Sequence, residues 1–225
     1  SWDYISLQQA SGKSGKYDTY TALADLIADI QARCPQAKLM WHQTWAYASS
    51  STHESFPDYD NNQMTMYNAI VSAARQAVTN HTALNLLIPS GTAIQNARTS
   101  FLGDAFNRDG YHLEVTYGRY TAACTWFEMI TGQNVVGNPY APETMDPQVV
   151  KIAQNAAHYA VQKPDEVTDM VNFKEPEISG TDLKAPVYID FGPTSLSATP
   201  WNNITSYLES STSSWIKDAE NNYTN

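Results

Sequence analysis

The stretch Asn107-Arg108-Asp109-Gly110-Tyr111-His112-Leu113 sets an acid and an imidazole three residues apart, in a turn directly ahead of a helical run over 114–131. At that spacing a carboxylate can fix the tautomer of the histidine, so that the second ring nitrogen acts as a base on something across a cleft. This is two thirds of a serine-hydrolase triad, with Asp109 as the orienting acid and His112 as the proton carrier. The same two residues also suit an Asx turn that caps the helix and leaves a histidine on the surface. A nucleophile is harder to find. Ser90, in Ile88-Pro89-Ser90-Gly91-Thr92, lacks the first glycine of a Gly-x-Ser-x-Gly elbow and reads as a strand-to-helix turn. Ser11 and Ser14 read as loop residues.

His42 ends a short strand on the same edge, where it can touch a substrate or sit as a satisfied core histidine. Trp41, Trp45 and Tyr47 offer a rim for stacking on pyranose rings, or equally a piece of core. His53, His81 and His158 share no ligand spacing, and zinc needs three or four converging groups. No metal and no cofactor are predicted.

These residues have to be held by elements the pattern reveals. Strands are predicted over 3–9, 38–42 and 83–88, and helices over 17–33, 64–78, 92–99 and 115–131. Asp60 is the expected N-cap of the second helix, Gly132 the stop of the fourth, and Asp146-Pro147 the start of a fifth that runs to about 162. Strand and helix alternate, and the strands are apolar on both faces, which is the mark of a parallel sheet covered on two sides. The polar loop 49–60 is too long for a plain connector and reads as a functional rim. A hydrolase domain over 1–164, a linker over 165–184 rich in Asp, Glu, Pro and Gly, and the start of a β-sandwich over 185–225 complete the expected organisation.

A net charge of -10 with only 13 basic residues excludes a nucleic-acid or anionic-membrane surface. No apolar run approaches the roughly 20 residues of a membrane span. Cys34 and Cys124 are too few for a disulfide scaffold, and Cys124 reads as a buried free thiol. The opening residues look like a central strand already in progress, so a natural N-terminal portion is expected before Ser1.

Three stretches together carry a resemblance: Trp2-Asp3-Tyr4-Ile5-Ser6-Leu7-Gln8-Gln9, Trp41-His42-Gln43-Thr44-Trp45-Ala46-Tyr47 and Asp109-Gly110-Tyr111-His112-Leu113. Over roughly the first 135 residues the chain resembles a branch of the SGNH (GDSL-like) hydrolase superfamily seen in gut-bacterial proteins. The resemblance implies a flavodoxin-like three-layer α/β/α sheet and ester hydrolysis through an acyl-enzyme. His112 and Asp109 would be catalytic. Gln8 or Gln9 would stand where the family puts a Gly-x-Asn-Asp oxyanion segment, with His42 and Trp45 toward the substrate. The family's serine would lie upstream of Ser1. An acylated carbohydrate or other small ester is the implied substrate, and a secreted, periplasmic or cell-surface location the implied setting.

Overall fold

The four residues of β1 (Tyr4–Leu7) lie parallel to β2 (Lys38–His42), which lies parallel in turn to β3 (Leu84–Ile88), so the sheet order is β1-β2-β3. Leu7 faces Trp41 across one ladder, and His42 faces Ile88 across the other, beyond a register shift at Leu39/Met40. The strand ends that carry Gln8, His42 and Ile88 thus share one edge. In open parallel sheets this carboxyl edge is where ligands bind. The computed structural model describes residues 2–176 and, further along, 187–191, 198, 201–204, 216–217 and 223–224.

Leu39 and Trp41 project from β2 into a core shared with Leu23 and Ile27 of α1 (Leu23–Arg33) and Ala73, Ala74 and Ala77 of α2 (Gln63–Asn80). A second group of helices, α3 (Ser90–Arg98), α4 (Tyr117–Thr131) and α5 (Pro147–Gln162), packs through Ala93, Ala97, Ala153, Ala156, Ala157 and Ala160. Alanine at those positions lets the helix backbones approach closely, which is what interior packing density demands. The described residues form a mixed α/β protein with a small parallel sheet and five α-helices.

Several predicted boundaries move, each for a local reason. The helix expected over 17–33 begins only at Leu23, because Tyr17–Thr19 is a separate 3-10 turn and the Tyr20 hydroxyl donates to the Ser14 carbonyl at 2.6 Å. Asp60 does not cap α2. It adopts a left-handed φ of 59° and closes the short helix Phe56–Tyr59, while the side chain of Asn62 accepts from the Thr65 amide at 2.9 Å. The third helix starts at Ser90, two residues early. The fourth starts at Tyr117, two residues late, because one Glu114 carboxylate oxygen takes the backbone N–H groups of Thr116, Tyr117 and Gly118. Asp146 caps α5, with Pro147 at its first position, and Gly132 ends α4 at φ 70°.

The first part of the stretch read as a linker is packed against α3. Thr92 donates its hydroxyl to the Pro164 carbonyl at 2.6 Å, the Thr168 amide donates to Asn96, the Met170 amide to Thr99, and the Phe101 amide to the Phe173 carbonyl. Met170 is buried to 1% exposure, and the first compact unit runs to Pro176. A Met170→Ala variant should therefore lose about 2–3 kcal/mol of stability, read as a lower midpoint in urea unfolding; an unchanged midpoint would return 165–176 to a linker. The rest of that stretch, 177–184, lies outside the described residues.

In the second unit β4 (Tyr188–Phe191) pairs in parallel with β5 (Trp201–Ile204), and Ile216–Lys217 pairs antiparallel with Tyr223–Thr224. Both cysteines are free, and burial in α4 pushes the Cys124 thiol up to about 11. Among the described residues no helix is long and apolar enough to cross a membrane.

Candidate active site

Asp109 holds His112 with both carboxylate oxygens. One accepts from the backbone amides of Tyr111 at 3.2 Å and His112 at 2.8 Å, and the other lies 2.7 Å from His112 Nδ1. The Asx turn and the acid–imidazole pair, which the sequence left as alternatives, occur together, but Asp109 does not cap the helix: Glu114 takes its first amides. Slight burial acts to raise the Asp109 pKa, but bonds from the His112 ring, the His112 amide and the Tyr111 amide outweigh it and bring the carboxyl down to about 2. An ionised acceptor puts the ring proton on Nδ1 and the lone pair on Nε2. The His112 side chain is 52% exposed, so Nε2 is open to an approaching hydroxyl.

The turn itself is clamped. Asn107 and Leu113 form an antiparallel bridge, the Arg108 amide donates to the His112 carbonyl at 3.0 Å, and the Ala48 amide donates to the Gly110 carbonyl at 2.8 Å. Gly110 has φ 89°, a region that side chains with a Cβ rarely adopt, and a Cβ there would also press on Ser51. Trp45 Nε1 donates to the Tyr111 carbonyl at 2.7 Å, tying the segment after β2 to the acid–histidine turn.

His42 and Gln8 meet at the sheet edge, with His42 Nδ1 2.9 Å from Gln8 Oε1. Gln8 is exposed. Gln9 instead turns away, its amide nitrogen on the Thr19 carbonyl and hydroxyl and its oxygen on the Ala10 amide. Burial alone pushes the His42 imidazole down to about 4, and its ring is edge-on to Trp45 at 6.3 Å and to Trp126 of α4 at 5.2 Å. The structure thus brings together Gln8, His42, Trp45, Asp109 and His112 through a chain of contacts, and leaves Gln9 out.

Of the two roles the sequence left open for the aromatic residues, core and rim, Trp41 and Tyr47 take the first. Trp41 is 3% exposed and packs on Tyr20 at 5.1 Å between α1 and α2, and Tyr47 is wholly buried; of the three only Trp45 is partly exposed. Ser90 is also wholly buried, Ser11 is paired with the Tyr47 hydroxyl, and Ser14 donates to the Ser11 carbonyl. A second acid–histidine pair, Glu128 with His158 at 2.7 Å, joins α4 to α5, and its carboxylate also takes the Val135 amide. Partly buried between the two helices, it reads as a structural tie. No group of three or more His, Cys, Asp or Glu side chains converges for a metal among the described residues.

Sequence reasoning missed Trp126 and the pair Arg98 and Asp104, which brace the turn from beneath. Arg98 Nε lies 3.0 Å from Asp104 Oδ1, and an Arg98 Nη2 donates to the Ala46 carbonyl and to Asn107 Oδ1. An Asp six residues past a helix-terminal Arg is a faint signal for such a pair.

Fold and site together define a mixed α/β protein with an acid–histidine turn close to the carboxyl edge of a parallel sheet. Residues 1–160 match the family described as Domain of unknown function (DUF4886), and the chain belongs to that family. A crystal structure of a DUF4886 family protein from Bacteroides uniformis ATCC 8492 is 56% identical, with a TM-score of 0.74, over 77% of this chain and 67% of that one. No curated protein matches the sequence significantly.

Proposed function

We propose that the protein is a serine esterase of the SGNH (GDSL-like) type that deacylates carbohydrate through an acyl-enzyme outside the cytoplasm. In this reading the sheet is the core of a flavodoxin-like α/β/α fold, the second unit opens a β-sandwich module, and the serine comes from a segment upstream of Ser1. The observation that carries it is the Asp109–His112 pair at 2.7 Å, its ring half-exposed and its turn tied by Trp45 to the segment that leaves β2. His112 Nε2 takes the serine proton as the oxygen adds to the ester carbonyl, then returns it to the leaving alcohol, and Asp109 stabilises the charged ring between those steps. Gln8 supplies an amide donor for the oxyanion.

The full-length protein should hydrolyse p-nitrophenyl acetate with an initial burst of p-nitrophenol, and should release acetate from an acetylated oligosaccharide. No turnover of either would remove the reading. A second reading, a carbohydrate-binding protein without catalysis, draws on Tyr188 and Trp201. These rings sit 5.2 Å apart on paired strands, at 38% and 45% exposure, a geometry suited to stacking on a sugar face. Sugar binding without acetate release in the same experiment would favour it.

A further inference from the structure

His42 presents a puzzle that the esterase chemistry alone leaves open. The residue is 9% exposed, one ring nitrogen is paired with Gln8, and the other, Nε2, is buried with no hydrogen-bond partner among the described residues. A buried ring with one orphan nitrogen is destabilising unless something compensates. The two tautomers are not equivalent in this setting. A proton on Nε2 would bury an unpaired N–H, which proteins almost never do, whereas a proton on Nδ1 leaves only an unpaired acceptor and makes the Gln8 bond a true donor–acceptor pair. The depressed imidazole, at about 4, keeps the ring neutral near pH 7.

Nδ1–H then faces the oxygen of the Gln8 amide. That fixes which way the amide is turned, because a flipped amide would set N–H against N–H. With the oxygen held, the Gln8 N–H2 becomes the end left to donate at the exposed strand terminus. Trp45 and Trp126 close on the ring edge-on and hold its plane, and Trp45 is the residue that also grips the His112 turn through the Tyr111 carbonyl.

We infer that His42 is a positioning residue: its Nδ1–H holds the Gln8 side-chain oxygen so that the Gln8 N–H2 is presented to the carbonyl oxygen of the ester as that oxygen becomes an anion. This rests on the esterase reading above. It also explains why His42 is histidine rather than a larger apolar residue on a strand end packed between tryptophans: the buried orphan nitrogen is tolerated because its neighbour in the ring does this work.

The test uses full-length protein and p-nitrophenyl acetate. His42→Leu, which removes both the donor and the orphan nitrogen and so should fold normally, is expected to lower kcat roughly 10–100-fold with KM changed by less than about 3-fold. His42→Asn, whose amide nitrogen falls where Nδ1 was, should remain within about 5-fold of wild type. Gln8→Ala should lose at least as much as His42→Leu, and the double variant should be no slower than Gln8→Ala alone, since both changes remove one function. Proton–nitrogen correlation spectra of the imidazoles should show His42 as the Nδ1–H tautomer at pH 7. An Nε2–H tautomer, a His42→Leu enzyme as fast as wild type, or additive losses in the double variant would overturn the inference while leaving the esterase intact. Wild type without turnover, or as slow as His112→Ala, would overturn both.

Discussion

His112→Ala is expected to lower kcat for p-nitrophenyl acetate by roughly 100- to 10,000-fold, the range that a positioned general base contributes. Asp109→Asn should fall into the same range for a different reason. The Asp109 carboxyl, drawn down to about 2, is ionised near neutral pH, so it accepts from Nδ1 and leaves the lone pair on Nε2. An asparagine can keep the two backbone bonds through its oxygen but would set an N–H2 toward Nδ1. The ring proton would then move to Nε2, where the base is needed. The turn survives and the chemistry does not, which separates catalysis from a merely structural Asx turn. The sign of the acid response also follows: a carboxyl lowered on folding stabilises the turn fully above its ordinary value near 4, and that contribution is lost as pH falls through about 2. Rates for both variants within a factor of two of wild type would take the pair out of the mechanism.

The acid–histidine turn was legible because every part of it is local: i and i+3 carry the pair, Gly110 supplies the left-handed bend, and the helix follows at once. Parallel strands and the alternation of strand and helix were legible for the same reason, since apolar runs and caps such as Asp146-Pro147 act over a few residues. What needed coordinates was everything decided by long-range choice. Gln8 and Gln9 point opposite ways along one strand end, and only the partner each meets, His42 or Thr19, says which faces the site. Trp41 and Tyr47 stayed open between rim and core because period and hydropathy cannot tell an aromatic that faces a ligand from one that faces a helix. The stretch over 165–176 has a linker's composition, yet it lies on α3 through backbone bonds and one methionine, which composition does not record. Arg98 was passed over because arginine is usually exposed.

Asp104→Ala should be the most destabilising single change near the site, at about 3 kcal/mol, seen as a melting temperature lower by roughly 6–12 °C in calorimetry. Arg98 is the reason. Its side chain is 4% exposed, and burial pulls its guanidinium down to about 10 even with Asp104 acting to raise it. Nη1 donates to Gln95 and Nη2 to the Ala46 carbonyl, each at 2.9 Å, and Nη2 reaches Asn107 as well. Nε sits 3.0 Å from Asp104 Oδ1 without hydrogen-bonding angles, a charge contact rather than a directed bond. Asp104 in turn accepts from Gln63 at 2.8 Å and from the Ser49 amide at 2.5 Å. Removing the carboxylate strands a buried cation, frees Ser49 and loosens the loop that grips Gly110. Removing both charges is different: Arg98→Met with Asp104→Leu should recover part of the melting temperature, because no buried cation is then left unpaired. Turnover should stay depressed in that double variant, since Ala46 and Asn107 no longer share a donor that holds the loop and the base of the His112 turn in one frame. Asp104→Ala melting with wild type would show that water reaches Arg98 and that the brace is not needed.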